Sequence, residues 1–158
     1  MRGVRASAIS AIVILVLAPS LLAGSHDYYD PHEIAVFAGG TRYEAEDALT
    51  FGAGYEYRWN ATAGVGLIFE YVVGDRLTRD YILGIPMYIH PYAGLRLTVA
   101  ALWESNDEGG DTVSRGAVRA GVAYSLEAGD FCITPEMNFD FRSESAYTIY
   151  GIAFGYRF

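Results

Sequence analysis

Lysine is absent from all 158 residues, cysteine occurs once, at Cys132, and nothing past residue 25 repeats with the period of a helix. Each absence removes a class of function. The basic residues are 11 arginines against 19 aspartates and glutamates, so there is no basic stripe for nucleic-acid phosphates, and nucleic acid is not expected as a partner. One cysteine closes no internal disulfide even in an oxidising compartment, and Cys132 reads as a small, half-apolar filler. No metal-ligand spacing or cofactor motif is present, and "DEGGD" (107–111) lacks the spacing of a calcium loop. Neither a metal nor a cofactor is expected.

What is present divides at residue 25. Arg2 and Arg5 precede the apolar run "AISAIVILVLAPSLLA", and Ala23 and Ser25 are small residues at −3 and −1 of a cleavage before His26. This is the pattern of a secretory signal peptide over 1–25. A membrane anchor needs about 20 apolar residues, and Ser10, Pro19 and Ser20 interrupt this run. Loss of Arg2 and Arg5 leaves nine arginines against 19 acids, a formal charge of −10 on one domain, 26–158.

That domain repeats with a period of two, the period of a β-strand. Eight strands are expected, at about 32–42, 50–60, 62–73, 80–90, 92–104, 114–126, 130–142 and 146–158. In "FCITPEMNFDFR", Phe131, Ile133, Pro135, Met137, Phe139 and Phe141 share one face, and Cys132, Thr134, Glu136, Asn138, Asp140 and Arg142 share the other. Phe51, Ala53, Tyr55, Tyr57 and Trp59 likewise oppose Gly52, Gly54, Glu56, Arg58 and Asn60. The strands around 32–42 and 80–90 alternate less cleanly, and an inward Pro86 is expected to break the ladder locally.

Volume decides which face is inside. Eight strands enclose a space only just wide enough for side chains to fill, so the bulky apolar set of every strand cannot point inward. It faces lipid, and the small or charged set fills the lumen. A soluble lipocalin-like carrier is the alternative and inverts the faces. The junctions agree with a membrane barrel. "NAT", "HP" and "EAGD" are short, whereas "YEAEDAL", "GDRLTRD", "ESNDEGGDTVS" and "SES" are more polar and mostly longer. Short turns lie in the periplasm and longer loops outside, which places both termini in the periplasm.

The chain ends on "YGIAFGYRF", with Tyr150, Ile152, Phe154, Tyr156 and Phe158 at every second position. With eight strands and this ending, it resembles the small outer-membrane β-barrels of the OmpA-transmembrane-domain and OmpX type across roughly residues 30–158. The resemblance implies an all-β, antiparallel up-and-down barrel in the outer membrane of a Gram-negative cell envelope. It also implies that these five residues are the signal read by the barrel-assembly machinery. Outer-membrane lipid and lipopolysaccharide are then the expected surroundings of a monomer, and no peptidoglycan-binding domain is expected after the barrel.

Inside, the expected charge network is Glu56, Arg58, Glu70, Arg96, Arg119, Glu136, Asp140 and Arg142, with Arg157 near the rim. Glu136 is expected between Arg96 and Arg119, because charges at membrane depth must be paired. A polar plug and a structural or surface-interaction role follow, with a small gated pore as the alternative. A lipid-modifying enzyme needs a nucleophile beside a histidine. His26, His32 and His90 fall on the periplasmic side, away from Ser105, Ser114, Ser143 and Ser145, and His90 beside Pro91 reads as a turn residue. Glu44, Glu46 and Asp47, and Glu104, Asp107, Glu108 and Asp111, read as acidic loops, solvated or holding divalent cations.

Overall fold

The computed structural model describes residues 30–44, 46–74, 80–108, 111–143 and 145–158. The leader assigned to 1–25 and His26 lie outside the described residues. The strands are β1 (His32–Tyr43), β2 (Glu46–Asn60), β3 (Ala63–Val73), β4 (Asp80–Tyr92), β5 (Leu95–Glu108), β6 (Asp111–Tyr124), β7 (Leu126–Ala128), β8 (Phe131–Phe141) and β9 (Ala146–Arg157). All neighbours pair antiparallel in the order β6-β5-β4-β3-β2-β1-β9-β8-β7. Pairing of β6 with β8 closes the sheet, so no edge runs the length of the barrel.

β6 and β7 are one barrel strand, which gives eight. Ala123 pairs with Glu136, and Leu126 pairs with Ile133 in the same register. Pro135, opposite the gap, has no N–H to offer, which breaks the ladder between them. Pro86 acts likewise. It is buried and paired with Ala100, while the β3–β4 ladder stops at Val65↔Met87 and resumes in register at Ile68↔Gly84.

Exposure alternates along the strands as a narrow barrel requires. On β8, Phe131 is 65% exposed and Asp140 1%. Two barrel layers fill the interior beside the charges. One is an apolar cluster of Ala48, Val72, Ile82, Ala100, Leu102 and Ala117, with Ile68 packed against it, all from β2 to β6. The other is a set of close backbone approaches at glycine. A Cβ on Gly66 would stand 2.2 Å from the Tyr55 carbonyl oxygen, and one on Gly121 would stand 1.8 Å from Asn138 Oδ1. β1 blurs the pattern because Phe37 turns inward, its ring lying where a Cβ on Gly151 would sit.

Three junctions differ from the sequence expectation. β1 and β2 run on to leave only 44–45 between them, and β5 and β6 leave only 109–110, so the first and third polar segments are strand rather than long loops. The β4–β5 turn falls at Ala93–Gly94, with Gly94 at φ 80°, and not at His90–Pro91. A one-residue shift between Ile89 and Tyr92 keeps His90 and Pro91 on β4.

The glycine contacts give a paired expectation. Gly66→Ala must displace backbone and is expected to lower stability by about 1–3 kcal/mol. Gly116 has nothing nearer than the Leu102 carbonyl oxygen at 4.0 Å, so Gly116→Ala is expected to be neutral or to gain up to about 1 kcal/mol. Urea titrations of both variants in lipid vesicles check the contrast.

Candidate functional site

The alternation that sends bulky residues outward brings charged residues from all round the barrel into one enclosed space. At the turn side, where β1 starts and β9 ends, Glu33 on β1 accepts hydrogen bonds from Arg157 Nε at 2.8 Å and Arg58 Nη2 at 3.1 Å. Glu56 on β2 lies 2.6 Å from His90 Nε2 and accepts from Arg58 Nε at 3.1 Å. Arg96 on β5 reaches three carboxylates: Glu136 at 2.8 Å, Glu33 at 3.6 Å and Glu56 at 3.7 Å. Its guanidinium also stands 4.9 Å from the centre of the Tyr88 ring. Arg157 extends the chain of pairs outward to Glu127.

A second group lies across the lumen. Arg119 on β6 donates Nε to Asp140 Oδ1 at 2.6 Å and Nη2 to Asp140 Oδ2 at 2.8 Å. Its other edge meets Glu70 on β3, with Nη1–Oε1 2.5 Å and Nη2–Oε2 2.7 Å. One planar guanidinium therefore holds two carboxylates in two forks, a geometry only arginine offers. All three side chains are at least 94% buried. Towards the loop side, Arg142 pairs with Glu104, donates Nη1 to the Tyr147 hydroxyl at 2.7 Å and stacks over that ring at 4.0 Å. Tyr147 stacks in turn on Tyr43, ring centres 4.5 Å apart.

All eight residues singled out from the sequence stand in the lumen, but not in the arrangement expected. Glu136 pairs with Arg96 and also accepts from Asn138 Nδ2 at 3.3 Å, while Arg119 is taken by Glu70 and Asp140. Glu136 is therefore not the bridge between two arginines. The pairing across the lumen depends on the stagger of the closed barrel, which spacing along one strand does not carry. Three members went unnoticed in the sequence. Glu33 sits on the strand blurred by Phe37. His90 is an inward bulge residue and not a turn residue. Glu104 is 3% exposed, inside the barrel and away from the acidic loop to which it was assigned.

Between the two ion-pair groups a cavity of about 50 Å³ is lined by Glu33, Glu56, Glu70, Arg96, Arg119 and Glu136, among others. That is room for a few water molecules and for no solute of metabolite size. Among the described residues no group of three histidine, cysteine or carboxylate side chains is placed to hold a metal ion. The two described histidines are engaged elsewhere than beside a serine. His90 meets Glu56, and His32 Nδ1 lies 2.7 Å from the Tyr55 hydroxyl.

The terminal residues Tyr150, Ile152, Phe154, Tyr156 and Phe158 all face outward, from 38% to 53% exposed. Phe158 closes the seam with β1. Its N–H donates to the His32 carbonyl at 3.0 Å, the reverse bond is 3.2 Å, and the two rings stack at 5.3 Å.

Removing the arginine of the double fork leaves two carboxylates buried together. Arg119→Met is expected to lower stability by about 3–5 kcal/mol. Adding Glu70→Gln and Asp140→Asn should restore part of the loss, because the three residues act as a unit. Folding equilibria of the single and triple variants in lipid vesicles measure this, and equal stability of the two variants would contradict the shared network.

No protein-family model and no curated protein matches the chain. Solved structures do. The N-terminal β-barrel domain of Pseudomonas aeruginosa OprF is similar over 82% of this chain and 100% of its own, with TM-score 0.61 and 16% identity. Yersinia pestis Ail, the attachment invasion locus protein, is similar over 82% and 100%, with TM-score 0.56 and 13% identity. Neisserial surface protein A is similar over 80% and 96%, with TM-score 0.59 and 7% identity. A designed transmembrane β-barrel is similar too, at TM-score 0.53 and 12% identity. The fold is that of the small outer-membrane barrels: a closed, antiparallel, eight-stranded barrel.

Proposed function

We propose that this protein is a monomeric outer-membrane barrel with a closed lumen and a structural or surface-interaction role. In this reading residues 1–25 direct export and are removed, both ends of the barrel lie in the periplasm, and lipid and lipopolysaccharide surround it. The observation that carries the closed lumen is Arg119 held by both Glu70 and Asp140. Opening a path there means breaking four charge-assisted hydrogen bonds in a space with little water to replace them. The apolar cluster of β2 to β6 fills the other side of the lumen. The likeness to outer-membrane barrels supports the location, and the bulky outward face supports a lipid surrounding. Hydrolytic or acyl-transfer chemistry has no place in this reading, since each lumen carboxylate is matched to an arginine or to His90.

The outward row from Tyr150 to Phe158 acts, in this reading, as the address for the barrel-assembly machinery. Phe158 also packs on His32, so targeting and stability must be separated in any test.

Three outcomes check the proposal. The protein should fractionate with the outer membrane and migrate differently on a gel with and without heating, and in planar bilayers it should give at most rare, small conductance events. Stable large channels would favour the pore instead. Deleting Phe158 should reduce insertion in cells, while the same variant refolded directly into lipid vesicles keeps most of its stability. Unchanged insertion in cells would contradict the role of the ending as an address.

A further inference from the structure

The two ion-pair groups of the lumen are satisfied to different degrees. Arg119 spends Nε, Nη1 and Nη2 on four hydrogen bonds to Asp140 and Glu70. Arg96 donates Nη2 alone, to Glu136 at 2.8 Å. Its Nη1 stands 3.6 Å from Glu33 Oε1 and 3.7 Å from Glu56 Oε2, beyond hydrogen-bond reach. Among the described residues no hydrogen-bond partner meets Arg96 Nε or Glu56 Oε2, although both atoms are shut off from solvent on side chains only 9% and 3% exposed. A buried donor and a buried acceptor without partners are each costly, and such pairs mark a place where a small polar molecule belongs.

Both side chains line the cavity of about 50 Å³ between the two groups. A water needs roughly 10–15 Å³ of such space and at least two polar partners, and both conditions are met. The chemistry narrows the occupant further. It must accept from the Arg96 Nε–H and donate to the Glu56 carboxylate, which neither a metal ion nor an anion can do. The Tyr88 ring, with its centre 4.9 Å from the guanidinium carbon, covers a face of Arg96 and leaves the edge as the side of approach.

We infer that a resident water bridges Arg96 Nε and Glu56 Oε2, joining the arginine on β5 to the carboxylate on β2 in place of a direct hydrogen bond. The inference rests on the closed lumen proposed above. A water between two polar groups keeps most of the strength of a direct bond, so the bridge lets one guanidinium serve a carboxylate beyond its reach.

Gly54 provides a test of sign. It is the inward residue next to Glu56 on β2 and lines the same cavity. A Cβ there would meet nothing nearer than Ile68 Cγ2 at 3.6 Å and the Leu67 carbonyl oxygen at 3.8 Å, ordinary contact distances. In a dry void an added methyl group fills space and stabilises. Beside a bound water it displaces the water and strands the buried donor and acceptor.

The test uses the whole mature chain, labelled with nitrogen-15 at arginine, in discs of phosphatidylcholine. Arg96 Nε–H should show a rotating-frame cross-relaxation peak to water, opposite in sign to the diagonal, a sign that separates a bound water from simple proton exchange. Gly54→Ala should remove that peak. It should also lower the folding equilibrium constant in lipid vesicles about tenfold relative to Gly116→Ala, which makes the same backbone change at an exposed position. A folded barrel with no such peak at Arg96 Nε–H overturns the site, as does a Gly54→Ala variant at least as stable as Gly116→Ala. The peak is read in the unaltered protein, so it decides the question even if Gly54→Ala does not insert. Stable large channels in planar bilayers would contradict the closed lumen itself, whereas a missing peak in a barrel that does not conduct contradicts the water alone.

Discussion

The constraint on which the rest depends is the width of an eight-stranded barrel. Its interior holds side chains and little else, so each strand must give up one face to small or mutually satisfied groups and turn its bulk outward. Arg119 shows how tight the interior is. A single guanidinium serves Asp140 on one neighbouring strand and Glu70 across the lumen, and no second cation is needed there. Such a network is weak evidence for stability as such, because desolvation offsets much of the attraction. Its stronger consequence is specificity: a strand slipped by one residue would send these charges into lipid.

The glycines belong to the same constraint. A Cβ on Gly64 would stand 2.6 Å from Glu56 Oε1, and one on Gly52 would stand 2.9 Å from Glu70 Cγ. These two glycines make room for a carboxylate side chain on the adjacent strand, so glycine and carboxylate positions are coupled there. Outside, the same economy reappears at Gly40, where the Tyr150 ring lies across the place a side chain would take.

Much of this was legible in the sequence, and the failures have physical causes. Alternation in "FCITPEMNFDF" identifies faces because every outward residue there is apolar and most inward ones are polar. It fails on β1, where Phe37 turns inward and conceals Glu33, and at His90, where proline imitates a turn while a bulge keeps the chain in the strand. Glu104 was read with the acidic loop because a hairpin that runs past its neighbours has the composition of a loop. The partner of Arg119 was beyond reach, since Glu70 is 49 residues away and meets it only after the sheet closes. Strand identity is a local property, but contact across the lumen is set by closure and stagger.

The central claim is that the period-two pattern separates lipid from a sealed interior. Spin labels placed singly along β8, at Ile133 and Phe139 on one face and Thr134 and Asn138 on the other, test it in a reconstituted bilayer. The outward labels should collide with dissolved oxygen and be shielded from a water-soluble nickel chelate, and the inward labels should be shielded from both. Inward labels that the chelate reaches freely, or oxygen access with no alternation between the two faces, would contradict the account.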